Sequence, residues 1–246
     1  MSEEFLDKSK DFVQSLDRGL SIMKVFNAEN PRLTLSEVAE LTGFTRATAR
    51  RFLLTLESLN YVGSTGRYFF LKPRVLELGY AYLSSFSLVS IAQGHLEEMA
   101  TEVRESCSAS VLEGNNVIYV CRASANRIMT INLAVGTQLP AYATSMGRVL
   151  LASMSDAELD DYFKNATLEK FTPKTVTDES ELRKIIAKVR QDGYAVVVGQ
   201  LEEGVESVSV PIRGKDGKVL AAANVSAPPV RITPEELVNK LLPRCK

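Results

Sequence analysis

Histidine is almost missing from this chain of 246 residues, which carries one, His95. Nucleophilic hydrolysis built on a serine or cysteine beside an imidazole therefore has a single candidate base, lying in a helical stretch far from the serines. The stretch "TSMGR" lacks the G-x-S-x-G elbow of a serine hydrolase. No H-E-x-x-H, no paired cysteines and no glycine-rich phosphate loop occur. Cysteine is scarce as well. Cys107, Cys121 and Cys245 are odd in number and widely spaced, which fits neither a disulfide framework nor a zinc site and suits a reducing cytoplasm. No apolar run is long enough to span a bilayer, and the acidic start (Glu3, Glu4, Asp7) is unlike a signal peptide. No cofactor and no metal are expected, and His95 reads as a helix-surface residue.

Charge of one sign is absent overall, at net −1, but not locally. Between Phe44 and Arg74 stand Arg46, Arg50, Arg51, Arg67, Lys72 and Arg74 against one acid, Glu57, leaving +5 on a short segment. Such a local excess is the footprint of a polyanion site. The elements around it are well signed. Thr34 stands three residues before Glu37, a capping-box start for "LSEVAEL", with Leu35, Val38, Ala39 and Leu41 on one face. Gly43 supplies a tight turn, and Thr45 caps the next helix. There Ala49, Phe52, Leu53, Leu56 and Leu59 form an inward stripe, while Arg46, Ala47, Arg50 and Arg51 project outward beside Thr45 and Thr48. "YVGSTGRYFFL" follows as a two-stranded wing carrying Arg67. "SLDRGLSIMKVF" supplies a further helix with a stripe of Leu16, Leu20, Met23 and Phe26. The sum is a winged helix-turn-helix that reads double-stranded DNA.

After Pro73 the pattern changes. "PRVLELGYAYLSSFSLVS" reads as a linker helix, and Val89–Glu105 as a second helix with Ile91, Leu96, Met99 and Val103 on one side. From Cys107 on, strands and helices are mixed: a hairpin around Gly114, a strand in "RIMTINLAVG", helices near Ser145 and within Asp178–Asp192, the strand "GYAVVVGQ", a hairpin folded back at Gly214–Gly217, and a final helix capped by Thr233. This predicts an α+β layer with an antiparallel sheet. The expected division is 1–72, 73–88 and 89–246.

A binding site is legible at "PAYATSMGRVLLA". Ser145, Met146 and Gly147 fall on the first turn of a helix, where free N–H groups attract a carboxylate and a glycine admits close approach. Read alone, the same residues also make an ordinary cap with a structural glycine. Ser207 and Ser209 share a face of one strand, and Asn224 and Ser226 of another. They either orient a ligand or form a polar sheet face open to water. Arg127 and Arg148 either neutralise an acid ligand or are surface charges.

The chain resembles the IclR family of bacterial transcription regulators. The entry helix "QSLDRGLSIMKVF", the core "LTLSEVAELTGFTRATARRFLLTLESLNYV" and the wing match its N-terminal domain. "RIMTINLAVGTQLPAYATSMGRVLLA" and "LEEGVESVSVPI" look most like its branch that controls aromatic-acid breakdown through protocatechuate and β-ketoadipate. The resemblance implies a homodimer or homotetramer, an operator with inverted symmetry, and a GAF-like effector domain whose helix start at Ser145 holds the effector's acid group. Where many relatives carry acids after "GY", this chain has Val197, Val198 and Gln200, which suits an aromatic or keto-dicarboxylic acid, with Val198 and its neighbours bordering the ligand. Two other readings remain at this level: an enzyme tethered through its winged helix, and a DNA-binding protein with no effector.

Overall fold

The computed structural model describes residues 12–85, 87–124 and 133–245. The chain divides into two compact units that meet at Tyr82 and Leu83.

In the first unit, α1 (Gln14–Lys24) is followed by a short strand β1 (Leu33–Thr34), α2 (Leu35–Thr42), α3 (Arg46–Ser58) and the strands β2 (Val62–Thr65) and β3 (Tyr68–Leu71). Strand β3 lies between β1 and β2, antiparallel to both. Thr34 closes β1 and caps α2: its backbone N–H donates to the Glu37 carboxylate at 2.7 Å, and the Glu37 N–H returns to the Thr34 hydroxyl. Gly43 ends α2 at φ +67, a left-handed conformation that a side chain would strain. Thr45 then caps α3. Ile22, Val38, Ala49, Leu53 and Val62 close the core without solvent exposure. Gly63 faces Phe70 across the wing, and a Cβ there would press into the Phe70 ring.

Four expected core positions, Leu16, Leu20, Leu41 and Leu59, are exposed. Of the expected stripe, Phe26, just beyond the end of α1, is buried and Met23 packs against the core, whereas Leu16 and Leu20 face outward and Ile22 enters the core instead. Leu59 is exposed because α3 ends at Ser58 and Asn60, at φ +64, turns the chain away. Leu41 is exposed one residue before the end of α2. Helix α4 (Leu76–Ser85) follows a turn at Pro73–Val75, and its Leu76, Leu78 and Tyr80 are all exposed.

In the second unit, α5 (Ser87–Val103) leads into β4 (Ser106–Glu113), β5 (Asn116–Ala123) and β6 (Gln138–Pro140). Helices α6 (Ser145–Ala152), α7 (Asp156–Asn165) and α8 (Glu179–Asp192) come next, then β7 (Ala195–Val198), β8 (Glu206–Arg213) and β9 (Val219–Ala227). The sheet order is β6-β5-β4-β9-β8-β7, and every pairing is antiparallel. This is the α+β layer expected. One face packs Cys107, Ala109, Val208 and Val225 against Leu96 of α5 and Leu237 near the C-terminus. The other packs Val117, Tyr119 and Ala222 against α6, α7 and α8.

The strand expected within 127–136 lies mostly outside the described residues, at 127–132; among the described residues the third strand of this unit is β6, beginning at Gln138. Helix α7 was not anticipated, although the capping box of Ser155 with Glu158 signals it. The last helix does start at Thr233 and Pro234, and it continues through a π turn at Leu237–Leu241. Its approach is fixed by a two-pronged ion pair of Arg231 with the buried Glu105, at 2.8 and 2.9 Å. Ile91 is exposed, and α5 turns Ala92, Leu96 and Ala100 inward instead. Among the described residues no single helix is long and apolar enough to cross a membrane.

Gly94 lies mid-helix on the exposed side of α5, and a Cβ built there meets nothing within 4 Å. Gly94→Ala should therefore raise stability by about 0.5–1 kcal/mol through helix propensity and a less flexible unfolded chain. Urea titration measures this, and a loss of stability would contradict the placement of Gly94 in an open helix face.

Candidate functional site

The first candidate surface is the start of α3. Thr45, Arg46, Ala47, Arg50 and Arg51 are exposed, and Ala49 and Leu53, fully buried on the opposite side, hold that face outward. Thr48 is half-buried. Its backbone N–H donates to the Thr45 hydroxyl, which in turn donates to the Thr48 hydroxyl at 2.9 Å. The two threonine hydroxyls therefore build the cap, which leaves the arginines as the free reach of this face. On the wing, Arg67 stacks on the Tyr68 ring at 5.1 Å and donates to its hydroxyl. Glu57, the one acid of the basic segment, accepts from Ser64 of the wing at 2.5 Å and so ties wing to helix.

The second candidate is a cavity of about 150 Å³ between the start of α6 and the sheet. Strand alternation builds its floor. Across β7, β8, β9 and β4, the residues Val197, Ser207, Ser226 and Ser106 are register neighbours, as are Ala195, Ser209, Asn224 and Ser108 in the next row. Directly opposed residues share a face, so a band of hydroxyls lies under α6 where an interior usually places hydrocarbon. Ser209 is fully buried, and Asn224 is 4% exposed. The band is thus not a sheet face open to water. The Ser145 hydroxyl sits on it, 2.8 Å from that of Ser207 and 2.7 Å from that of Ser209. Asn224 Oδ1 is buried with no hydrogen-bond partner among the described residues.

The structure redistributes several expected roles. Ser145, Met146, Ser207, Asn224 and Ser226 line the cavity, while Ser209 supports it from below through Ser145. Gly147 does not line it. Its N–H is taken by the Thr144 hydroxyl at 3.1 Å, and the space a Cβ would occupy is filled by backbone atoms of Ala141. The glycine thus serves packing, and the N–H groups left at the helix start belong to Ser145 and Met146. Val198 does not line the cavity either. It pairs with Glu206 and points with Val196 to the α5 side, while Val197 faces the cavity. Arg148 is not a surface charge, and it does not line the cavity. It is 2% exposed, and its guanidinium donates to the Tyr142 carbonyl and to Gln200 Oε1. Burial lowers its pKa to about 10. Arg127 lies outside the described residues.

Gln200, named from the sequence, also lines the cavity, and the lining residues that the sequence reading missed include Tyr119, Thr144 and the acid Glu202. Thr144 carried a legible signal, a threonine ahead of a helical run. Tyr119 owes its inward aim to a bulge beside Ala109 and Ser110, which periodicity does not show. Burial pushes the Tyr119 phenol up to about 12, so it stays a neutral donor at ordinary pH. Gln200 is held by Arg148 and by the Val176 N–H. A wider cleft of about 680 Å³ lies beside Ala152, Arg190 and Arg213. Its Arg190 is spent on the Ala152 and Met154 carbonyls and on Asp156, so it holds α6 in place rather than presenting a charge.

A winged helix with an arginine-bearing helix face, followed by a unit with a buried polar cavity, defines a ligand-binding class of DNA-binding regulator. The chain belongs to the IclR family: the model of the bacterial transcriptional regulator IclR C-terminal domain matches residues 80–245, and that of the IclR helix-turn-helix domain matches residues 15–66. It is a transcriptional regulator and not an enzyme. It is 42% identical to the Pca regulon regulatory protein of Pseudomonas putida, over 95% of this chain and 80% of that one. It is 32% identical to the p-hydroxybenzoate hydroxylase transcriptional activator of Acinetobacter baylyi, over 98% and 90%. A solved structure from Rhodococcus sp. RHA1, described as a transcriptional regulator, matches with TM-score 0.84 at 50% identity, over 95% and 94% of the two chains. An IclR homolog from Microbacterium hydrocarbonoxydans, solved in complex with 4-hydroxybenzoate, matches with TM-score 0.79 at 26% identity, over 94% and 92%.

The contact at Gly147 makes a direct test of the site's construction. Gly147→Ala forces a methyl into the Ala141 backbone, which has no flexible end to move, and should cost about 3 kcal/mol or more. Thr144→Ala removes only the cap and should cost about 1 kcal/mol. Equilibrium unfolding of both variants ranks them. A Gly147→Ala protein as stable as wild type would show that α6 does not lie against Ala141.

Proposed function

We propose that the α3 face of Arg46, Arg50 and Arg51, with Arg67 on the wing, binds operator DNA, and that a small organic acid in the α6 cavity controls that binding. The observation that carries the second half is the polar band of the buried Ser207 and Asn224 and the half-buried Ser226 beneath the start of α6. An interior polar surface facing a cavity is a costly arrangement for a merely structural sheet. The volume of about 150 Å³ is below the roughly 300–1,000 Å³ of drug-sized pockets, which suits a small metabolite. The acid's carboxylate accepts from the N–H groups of Ser145 and Met146, at the positive end of the helix. The relatives named for p-hydroxybenzoate hydroxylase and the Pca regulon, and the 4-hydroxybenzoate complex, support an aromatic or keto-dicarboxylic acid. In this reading residues 1–72 bind DNA, 73–88 link and 89–246 sense.

The same reading makes the protein at least a homodimer. The exposed Leu76, Leu78 and Tyr80 of α4 and the exposed Leu16 and Leu20 of α1 give a second copy an apolar surface to cover. An operator with twofold symmetry needs such a pair. A dimer of two dimers would make the homotetramer. The acid shifts operator affinity by its differential affinity for the two arrangements of the protein.

Arg50→Ala or Arg51→Ala should weaken operator binding by about 1–3 kcal/mol if the residue reads a base. The salt slope should fall by roughly one if it contacts phosphate. Gel-shift titrations at several salt concentrations separate the two, and no change in either quantity for either variant would remove α3 from the interface. Aromatic and keto-dicarboxylic acids should raise the melting temperature of the full chain, by an amount equivalent to about 2.7 kcal/mol at a hundredfold excess over Kd. A screen in which none does so would remove the effector.

A further inference from the structure

We propose that the outer face of the wing sheet is a second contact with the DNA backbone, and that Arg32, which lies outside both the helix-turn-helix and the wing hairpin, anchors it beside Arg67. The inference rests on the operator reading above and goes further, because it assigns the duplex a binding surface away from α3.

Alternation along β3 separates its two faces. Phe69 and Leu71 pack against the core of the first unit, so Tyr68 and Phe70 face outward, and Lys72 follows on their side, over Gly63. Gly63, opposite Phe70, gives its ring room to lie across β2. Each outward ring carries a guanidinium. Arg67 sits over Tyr68 at 5.1 Å from the ring centre, and Arg32 sits over Phe70 at 5.9 Å. Strand pairing brings Arg32 there: Leu33 lies opposite Phe69, which puts the residue before it beside Phe70. Arg32 is exposed, and among the described residues its guanidinium has no hydrogen bond and no ion pair. The nearby acids are engaged elsewhere. Glu37 accepts from the Thr34 N–H and hydroxyl at 2.7 Å each, and Glu57 accepts from Ser64. Lys72 donates to the neutral Asn60 Oδ1 at 3.1 Å and keeps its charge uncompensated.

A guanidinium stacked on a ring keeps its N–H edge free, and that planar edge matches phosphate oxygens. The stack also holds the side chain in place before DNA arrives, so less rotamer freedom is lost on docking. The outward face thus presents Arg32, Arg67 and Lys72, and between Tyr68 and Lys72 it carries no acid. Tyr68 and Phe70 stand two residues apart, roughly 7 Å along the strand. Two nucleotides of one DNA strand advance by about the same distance along the duplex axis. Two ring-seated arginines at that spacing therefore suit two neighbouring phosphates of one strand. Such contacts fix the register of the protein on the duplex and read no base, which leaves sequence recognition to the α3 face.

Fluorescence anisotropy of the full chain with a labelled mixed-sequence duplex of about 30 base pairs, titrated from about 50 to 200 mM NaCl, tests this without knowledge of the operator. Arg32→Gln should lower the salt slope by roughly one and weaken binding about five- to tenfold near 0.1 M salt, equally for unrelated duplexes. Arg67→Gln should do the same, and the double variant should lower the slope by roughly two. Arg32→Lys keeps the charge, so it should restore the slope while binding less tightly than wild type, because an ammonium neither forks nor stacks as well. An Arg32→Gln slope and affinity equal to wild type, with Arg50→Ala or Arg51→Ala still weakening binding, would overturn the wing-face contact and leave the operator reading standing. A weaker Arg32→Gln complex with an unchanged slope and a lowered melting temperature would mark a structural role and overturn it too. So would an Arg32→Lys slope as low as that of Arg32→Gln. A wild-type chain that binds no duplex at the lowest salt would overturn both readings.

Discussion

The contact of Gly147 with the backbone of Ala141 sets the position of α6, and with it the whole cavity. A helix whose first turn is pressed against the preceding turn cannot slide outward. Its first residue, Ser145, is therefore delivered onto the sheet within bonding distance of two serines of β8. Thr144 caps the helix inside the same contact by accepting from Gly147. Arg148, one turn on, is locked to Tyr142 and Gln200, so the segment ahead of the helix and the loop after β7 are joined through one buried guanidinium. Arg190 closes the other end of α6 by taking its last carbonyls. Fixing a helix this firmly makes the N–H groups of Ser145 and Met146 preorganised donors, which is what gives weak dipoles their binding strength.

Sequence and structure agree most where a local signal has one physical meaning. Thr34 with Glu37, Gly43, Thr45 and Thr233 each satisfy helix ends in the same way in any fold, and each stands where it was expected. Strand alternation likewise put Ser207 with Ser209 and Asn224 with Ser226 on shared faces. What alternation leaves open is which face is interior, and the structure puts the hydroxyls inside. Gly147 shows the opposite limit. A glycine in a first helical turn admits an anion or a neighbouring backbone equally well, and only the fold shows that Ala141 is the neighbour. Val197 and Val198 differ by one residue in register, and nothing within "VVV" distinguishes them. Tyr119 depends on a bulge in the pairing of β4 with β5, which is a long-range fact.

The first unit shows the same division between local and distant causes. Its helices begin and end on capping residues, and its basic face follows from the spacing of Arg46, Arg50 and Arg51. Which apolar residues of α1 the core takes is tertiary: it takes Ile22 and leaves Leu16 and Leu20 exposed. Exposed leucines on α1 and exposed Leu76, Leu78 and Tyr80 on α4 are apolar surface that folding of a single chain does not use. A monomer that needed only solubility would carry polar residues there.

In the proposed reading, the polar band under α6 is what lets the domain respond to a small molecule. Burying an amide whose oxygen has no partner costs about 1–3 kcal/mol, and Asn224 Oδ1 is such an atom. A sheet filled with valine in place of Ser207, Ser209 and Asn224 would pack better and bind nothing. The unit therefore holds a stability deficit confined to the cavity, and a ligand that satisfies those groups recovers it. That recovered energy is available to bias one arrangement of the protein over another, up to the ligand's differential affinity for the two.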